Sequence, residues 1–209
     1  MLDQGRWPTD YLARPAHTFG PLGLDVMAFL GTQPRLVVEG TLPEWSGTLH
    51  SLHVAEMGGV EMHELDEGHL IAGVGIEGDR YATHRGHYSH LWHPDRQVTI
   101  IACEVIDQVA DAIGRPFSPH ETRRNLATRG VPLNDLPGTY FSIGEVVLYG
   151  GRLNIPCRYF ERLIDKPVFE PLVGISGLNC QIIVGGTVRA GDEVHPLWDW
   201  DEASGAAII

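Results

Sequence analysis

The sequence predicts a mainly β domain with short helices, an α+β chain closed or partly closed into a barrel. Two observations carry this. Short segments of alternating apolar residues recur at roughly ten-residue spacing, as in barrels and sandwiches. Glycine (25) and proline (14) are dispersed between them and read as turns, not as low complexity. The 209 residues are 43% hydrophobic, enough for one core with extensions.

Residues 1–44 contain Pro8, Pro15, Pro21, Pro34 and Pro43 and read as an irregular N-terminal extension, with a short helix expected near 24–30. The domain proper spans 45–199, and 200–209 form a frayed tail. Residues 48–54 alternate as a half-buried strand, and a second strand is expected over 70–74. Gly73, Gly75 and Gly78 then mark a tight turn, and 97–101 form the next strand. Val105, Ile106, Val109, Ala110 and Ile113 recur at helical spacing, and Gly114 and Pro116 stop that helix. Ser118-Pro119-His120-Glu121 has the form of a capping box, which predicts a second short helix carrying Thr122, Arg123, Arg124 and Asn125. Strands return over 140–143, 146–149 and 181–184, with a last turn and strand over 187–192.

The formal net charge of −12 disfavours non-specific nucleic-acid binding, so an anionic ligand needs a local basic pocket. No stretch approaches the roughly 18–20 apolar residues of a membrane span. The first residues lack the basic and apolar regions of a signal peptide. Three cysteines, Cys103, Cys157 and Cys180, make neither a disulfide framework nor a zinc knuckle, and the reading is a cytoplasmic protein with a free thiol.

Four constellations could carry chemistry. Cys157 follows Pro156 and precedes Arg158 and Arg162, so it is expected at a strand-to-helix turn, where helix and cation favour thiolate. Cys103 and Cys180 read as core residues. Thr122-Arg123-Arg124-Asn125 with Arg129 offers guanidinium forks suited to phosphate or carboxylate, against the plainer reading of a solvated helix face. Gly73, Gly75 and Gly78 give a superficial dinucleotide fingerprint, but loop and not helix follows, so the segment is a turn aiming Asp79 and Arg80. His84, His87, His90 and His93 recur every third residue and invite a metal, yet Gly86, Ser89 and Pro94 make a loop the better reading.

These segments, in this order, resemble the MOSC domain, named for the C-terminal domain of molybdenum cofactor sulfurases. Gly75-Ile76-Glu77-Gly78-Asp79-Arg80-Tyr81 looks like the family's glycine–aspartate–basic element. Arg96-Gln97-Val98-Thr99-Ile100-Ile101 with Glu104 is similar to its strand leading into a helix. Thr122-Arg123-Arg124-Asn125-Leu126 with Gly130, Leu133 and Leu136 resembles its Arg-Arg-Asn element. Phe141, Ile143-Gly144 and Val146 look like a further strand, and Pro156-Cys157 matches the reactive proline–cysteine. Gly177-Leu178-Asn179 with Gly185-Gly186, Val188, Gly191-Asp192 and Val194 resembles the closing strand pair.

The resemblance covers 47–197 and implies a β-barrel of the MOSC, pyruvate kinase β-barrel-like type. It implies a sulfurtransferase-like carrier that moves sulfur, through a Cys157 persulfide, to molybdenum cofactor (molybdopterin) or another anionic acceptor. Arg123, Arg124, Asn125, Arg129 and Arg158 would form a basic cleft, with Asp79, Arg80 and Asn179 beside it. A sulfur donor such as a cysteine desulfurase is the implied partner, with no nucleic acid or membrane involved. Alternatives are a molybdenum-cofactor reductase of N-hydroxylated compounds, with Cys157 as molybdenum ligand, and a non-catalytic binding module. Relatives often carry a Cys-x-Pro-Cys run where this chain reads Asn154-Ile155-Pro156-Cys157, so no dithiol forms within the motif. With Lys166 as its one lysine, the chain is not expected to hold covalent pyridoxal phosphate. An aminotransferase-like domain that would mobilise sulfur is likewise not expected.

Overall fold

A computed structural model describes residues 44–91 and 93–201 together with the backbone of Ala206–Ala207. The expected extension over 1–44 and its helix near 24–30 lie almost wholly outside the described residues.

The chain enters the fold through β1 (Gly47–Val54), then β2 (His63–Leu65), β3 (Glu67–Ile71) and β4 (Gly75–Ile76). A long series of turns leads to β5 (Val98–Ala102), which runs straight into α1 (Cys103–Ile113). There follow β6 (Leu126–Arg129), β7 (Tyr140–Ile143), β8 (Val146–Leu153) and α2 (Arg158–Ile164). The remaining strands are β9 (Leu178–Val184), β10 (Gly186–Arg189), β11 (Glu193–Pro196), β12 (Trp200–Asp201) and β13 (Ala206–Ala207).

Seven strands close a barrel in the order β1, β11, β7, β8, β9, β5, β6 and back to β1. Closure comes from β11 meeting β1, with Gly47 opposite Val194 and Thr48 opposite Glu193. Every pairing in the ring is antiparallel except β5 with β6, which α1 joins by a crossover. Closing the ring leaves no edge among these strands for stray pairing. β2 extends β1 outside the ring, and β10, β3 and β4 form a small flanking sheet.

Alternation decides which residues face inward. Leu49, Leu52, Ile100, Leu126, Phe141, Ile143, Leu148, Leu178 and Ile182 fill the barrel. Their neighbours Ile101 and Ala127 face the other way, into a second cluster with Ile106, Val109, Phe117, Phe160, Val168 and Leu172. β5 is therefore buried on both faces, so its sequence reads as a continuous apolar run, as parallel strands do. One contact is tight enough to demand glycine. A Cβ on Gly177 would stand 2.0 Å from the Ile100 carbonyl oxygen, and its φ is +92°.

Several elements differ from the sequence reading. The strand expected over 70–74 is β3 and ends at Ile71, earlier than expected, because Gly73 (φ +77°) sits in a turn where Val74 N–H donates to the Ile71 carbonyl. β8 extends past Tyr149 to Leu153 and β9 begins at Leu178; the register steps over Gly151, between the Gly150–Cys180 and Arg152–Asn179 pairs, and the ladder then continues. The strand expected over 187–192 is β10 (Gly186–Arg189), and the turn after it leads into β11 (Glu193–Pro196). In the tail, Trp200–Asp201 and Ala206–Ala207 pair as a short ladder.

The predicted helix after Ser118 is a single 3-10 turn, Pro119–Thr122. Ser118 N–H does donate to the Glu121 carboxylate at 2.8 Å, so the capping box is real. Arg123 then turns left-handed (φ +63°), and Asn125 N–H bonds the Thr99 carbonyl to start β6. The chain must leave the helix there to join the barrel.

On β1, His53 is buried, with its Nδ1 lacking a hydrogen-bond partner. Burial first, then the nearby His120 and His50, pushes its pKa down to about 4. The folded protein thus keeps His53 neutral where the unfolded chain, near 6.5, takes up a proton. Stability from this group is present above about pH 6.5 and is lost as pH falls toward 4. We expect the melting temperature to fall across that window in the parent protein and to fall less in His53→Gln. Parallel acid profiles for the two proteins would refute this.

Candidate functional site

Cys157 is placed by the exit from β8. Asn154 N–H is held by the Gly177 carbonyl, Pro156 is buried, and Cys157 is extended at the N-cap of α2. Its Sγ accepts the Phe160 N–H at 3.4 Å, so the sulfur serves as the cap. The thiol is half-buried and opens on a cleft of about 380 Å³, within the usual range for a small-ligand site.

Five arginines line that cleft: Arg80, Arg96, Arg123, Arg124 and Arg152. Two are paired, Arg80 with Asp79 at 3.0 Å and Arg152 with Asp95 at 3.0 Å. Among the described residues, no carboxylate forms an ion pair with Arg96, Arg123 or Arg124. Arg124 is buried and spends its fork on neutral groups: Nε on the Ser176 carbonyl (3.0 Å), Nη2 on Ser176 Oγ (2.7 Å) and Nη1 on the Thr122 carbonyl (3.2 Å). Burial, and then the neighbouring Arg80, pushes the pKa of both Arg123 and Arg124 down to about 10. Arg96 Nε is buried with no partner. Cations crowded together without counter-charge, in an acidic protein, make a cavity that favours an anion.

The sequence-level site residues divide. Cys157, Arg80, Arg123, Arg124 and Asn179 share the cleft. Four others do not line it, and for them the reading is corrected. Asn125 is buried in the wall: Oδ1 accepts from Thr99 N–H and Oγ1, and Nδ2 donates to the His53 carbonyl. Asp79 is also structural, accepting from Ala55 N–H, Tyr81 N–H and Arg80. Arg129 is exposed and paired with Asp107, and Arg158 is exposed and paired with Glu161 and Glu170. Lys166 is likewise engaged, by Glu121 and the Pro116 carbonyl, and is not a cleft residue.

The histidine row forms no helix. It is a chain of turns pinned by Gly58 N–H on the Arg85 carbonyl (2.8 Å) and Gly86 N–H on Ser89 Oγ (2.9 Å). His87 stacks on Tyr159 of α2 at 4.1 Å and 9°, and His93 Nδ1 lies 2.6 Å from Asp95 Oδ1. Between them, Tyr88 lines the cleft together with Cys157. Sequence reasoning missed Tyr88, Tyr159, Arg96 and Arg152 as cleft residues. Arg96 stood in a matched motif but read as the start of a strand. Nothing local distinguished Tyr88.

A family model described as the MOSC domain matches residues 87–195, more than half of the chain. No curated protein matches. Among solved structures, the YuaD protein of Bacillus subtilis superposes with TM-score 0.64 at 23% identity, covering 75% of this chain and 98% of that one. YiiM of Geobacillus stearothermophilus gives 0.59 at 14%, covering 74% and 76%. YiiM of Escherichia coli gives 0.53 at 18%, covering 74% and 70%. These likenesses support the barrel, and with the motif order and the family match they lead to one conclusion: the chain belongs to the MOSC domain family, which is linked to molybdenum cofactor binding or sulfur transfer.

Proposed function

We propose that this protein carries sulfur on Cys157 and delivers it to an anionic acceptor held by the arginines of the same cleft. The observation that carries the reading is the joint placement of a half-buried thiol and three arginines without acidic partners in one cavity. Molybdenum cofactor fits this donor set: Arg96, Arg123 and Arg124 would hold its phosphate, and Cys157 stands where a sulfur donor or thiolate ligand is needed. When bound, that group would supply an anionic pterin and a metal able to accept sulfur. The chain's own part is to hold the anion by guanidinium forks, to present Sγ at the cleft mouth, and to keep the Cys157 backbone fixed at the helix cap.

No second cysteine accompanies Cys157 in the cleft, so sulfur must arrive from outside the motif. The donor proposed is a persulfide-bearing protein such as a cysteine desulfurase. The rim offers a surface for such a partner: Ile155 is 75% exposed beside Cys157, with Leu91 and Leu163 near it. Among the described residues no helix is long and apolar enough to cross a membrane, and a reducing cytoplasm suits a free-thiol carrier.

Treating the purified chain with inorganic polysulfide should add sulfane sulfur to Cys157 alone, seen by peptide mass mapping. Absence of uptake at Cys157, with uptake elsewhere, would refute the carrier reading. Stoichiometric molybdenum in protein from its native host, without sulfane sulfur, would favour the cofactor-bound reductase instead. An inert Cys157 with neither metal nor sulfur would leave a binding module.

A further inference from the structure

The cleft beside Cys157 is bridged by a ring stack. Segment 84–91 supplies one part of its lining, through His87, Tyr88 and Leu91, and α2 with the run before it supplies another, through Ile155, Cys157 and Tyr159. The two parts touch where His87 lies flat on Tyr159, with centroids 4.1 Å apart and planes 9° off parallel. Tyr159 is two residues beyond Cys157, so the stack stands at the start of the helix that presents the sulfur. Glycines let the rings meet. A Cβ on Gly58 would stand 2.9 Å from the His87 backbone nitrogen, and one on Gly59 (φ +85°) would stand 3.3 Å from the Tyr159 hydroxyl oxygen.

Apart from that stack, the segment is lightly held. Gly58 N–H donates to the Arg85 carbonyl at 2.8 Å, and Arg85 N–H donates to the Arg80 carbonyl at 2.7 Å. Beyond Arg85, among the described residues, the hydrogen bonds of the segment stay within it. Gly86 N–H donates to Ser89 Oγ, Ser89 N–H to the Gly86 carbonyl, and Leu91 N–H to the Tyr88 carbonyl. Rings supply further contact: the Tyr81 ring fills the space at Gly86, and Arg96 lies over the Tyr88 ring at 5.7 Å. A segment tied by backbone at one end and by rings elsewhere opens at modest cost.

We propose that the His87–Tyr159 stack is a latch that sets the size of the reactant able to reach Cys157. Latched, the cleft admits a small ligand; opened, segment 84–91 moves off α2 and admits a protein donor. The use of the latch rests on the sulfur-carrier reading. A persulfide on Cys157 is open to any bulk thiolate. Attack on the outer sulfur forms a new sulfur–sulfur bond, breaks the bond to Sγ and leaves Sγ as a thiolate, so the sulfur passes to the wrong acceptor. The latch limits that loss. Loading is the same exchange in the other direction: the Cys157 thiolate attacks the outer sulfur of the donor persulfide, and the donor leaves as its thiolate. A donor docked at the rim opens the latch to do so.

Two neutral reagents of different size read the latch on the full, sulfur-free chain: iodoacetamide, and a maleimide carrying a polyethylene glycol chain. At Cys157, His87→Ala should raise the maleimide rate about five- to tenfold, the worth of roughly one aromatic pair, and the iodoacetamide rate by less than about twofold. Tyr159→Ala should do the same, and the double variant should add little more, because both changes remove one contact. His87→Phe can still stack and should keep the parental ratio of the two rates. A change in thiol ionisation would move both reagents alike, so the ratio isolates size. An unchanged ratio in either alanine variant would overturn the proposal, as would a His87→Phe ratio equal to that of His87→Ala. After loading with inorganic polysulfide, His87→Ala should lose its sulfane sulfur to a thiol-terminated polyethylene glycol faster than the parent does; equal loss would overturn the shielding role. If Cys157 takes up no sulfane sulfur, the carrier reading falls, while the ratio of alkylation rates still decides the latch.

Discussion

Cys157→Ser is expected to abolish sulfur uptake and delivery while leaving the fold intact. Serine is a strong helix N-cap, so its oxygen can replace the sulfur on the Phe160 N–H at little cost. What serine cannot do is form a persulfide. The other two thiols offer no substitute. Cys103 packs in the cluster beneath the helices, and burial there pushes its pKa up to about 11. Cys180 lies inside the barrel, where burial pushes it well above the ordinary thiol range. At neutral pH both are almost wholly protonated and shielded. Pulse alkylation with peptide mapping should therefore find Cys157 more than about a hundredfold faster than either. The assignment fails if Cys157 alkylates no faster than Cys103 or Cys180, or if the serine variant still takes up sulfane sulfur.

The barrel was legible in the sequence because alternation and turn residues are local signals. β7 falls where the pattern puts it, and α1 ends where its glycine does, at Gly114 in the left-handed region. The turn presenting Cys157 was legible for the same reason. The arginines were only half legible, since sequence adjacency says nothing of direction. Arg158 is next to Cys157 in the chain, yet Glu161 and Glu170 draw it to the surface. Arg129 is drawn off by Asp107 in the same way. Arg96 and Arg152 lie far apart in sequence, and the pairing of both β8 and β5 with β9 brings them together at the cleft.

The buried polar residues misled for a different reason. Asp79 and Asn125 sit in matched motifs, but Asp79 accepts from Ala55 N–H and Asn125 donates to the His53 carbonyl, backbone groups from a distant part of the chain. Such partners lie 24 to 72 positions away and leave no local trace. The histidine row drew attention to its imidazoles, yet the tyrosine between them, Tyr88, also lines the cleft.

Arg124→Ala is expected to lower both stability and anion affinity. The sequence reading weighed an anion site for this arginine against a solvated helix face, where replacement would cost less than about 0.5 kcal/mol. The structure instead buries it as a bracket between the turn before β6 and the loop before β9. Removing it leaves the Ser176 carbonyl, Ser176 Oγ and the Thr122 carbonyl without their donor. Part of that loss is offset, because a buried cation without a counter-charge is itself costly. A net loss of about 1–3 kcal/mol follows. Anion binding loses a charge-assisted contact worth about 1.5–3 kcal/mol, or roughly ten- to a hundredfold in affinity. Inorganic phosphate is a sufficient probe: it should raise the melting temperature of the parent protein, since a ligand bound only by the folded state stabilises it. It should raise that of Arg124→Ala far less. Arg129→Ala and Arg158→Ala, whose guanidinium groups are exposed and paired outside the cleft, should respond to phosphate as the parent does. If Arg124→Ala shows the full parental response to phosphate, the anion site does not depend on the buried arginine. If its melting temperature without phosphate is unchanged, Arg124 is not a bracket of the fold.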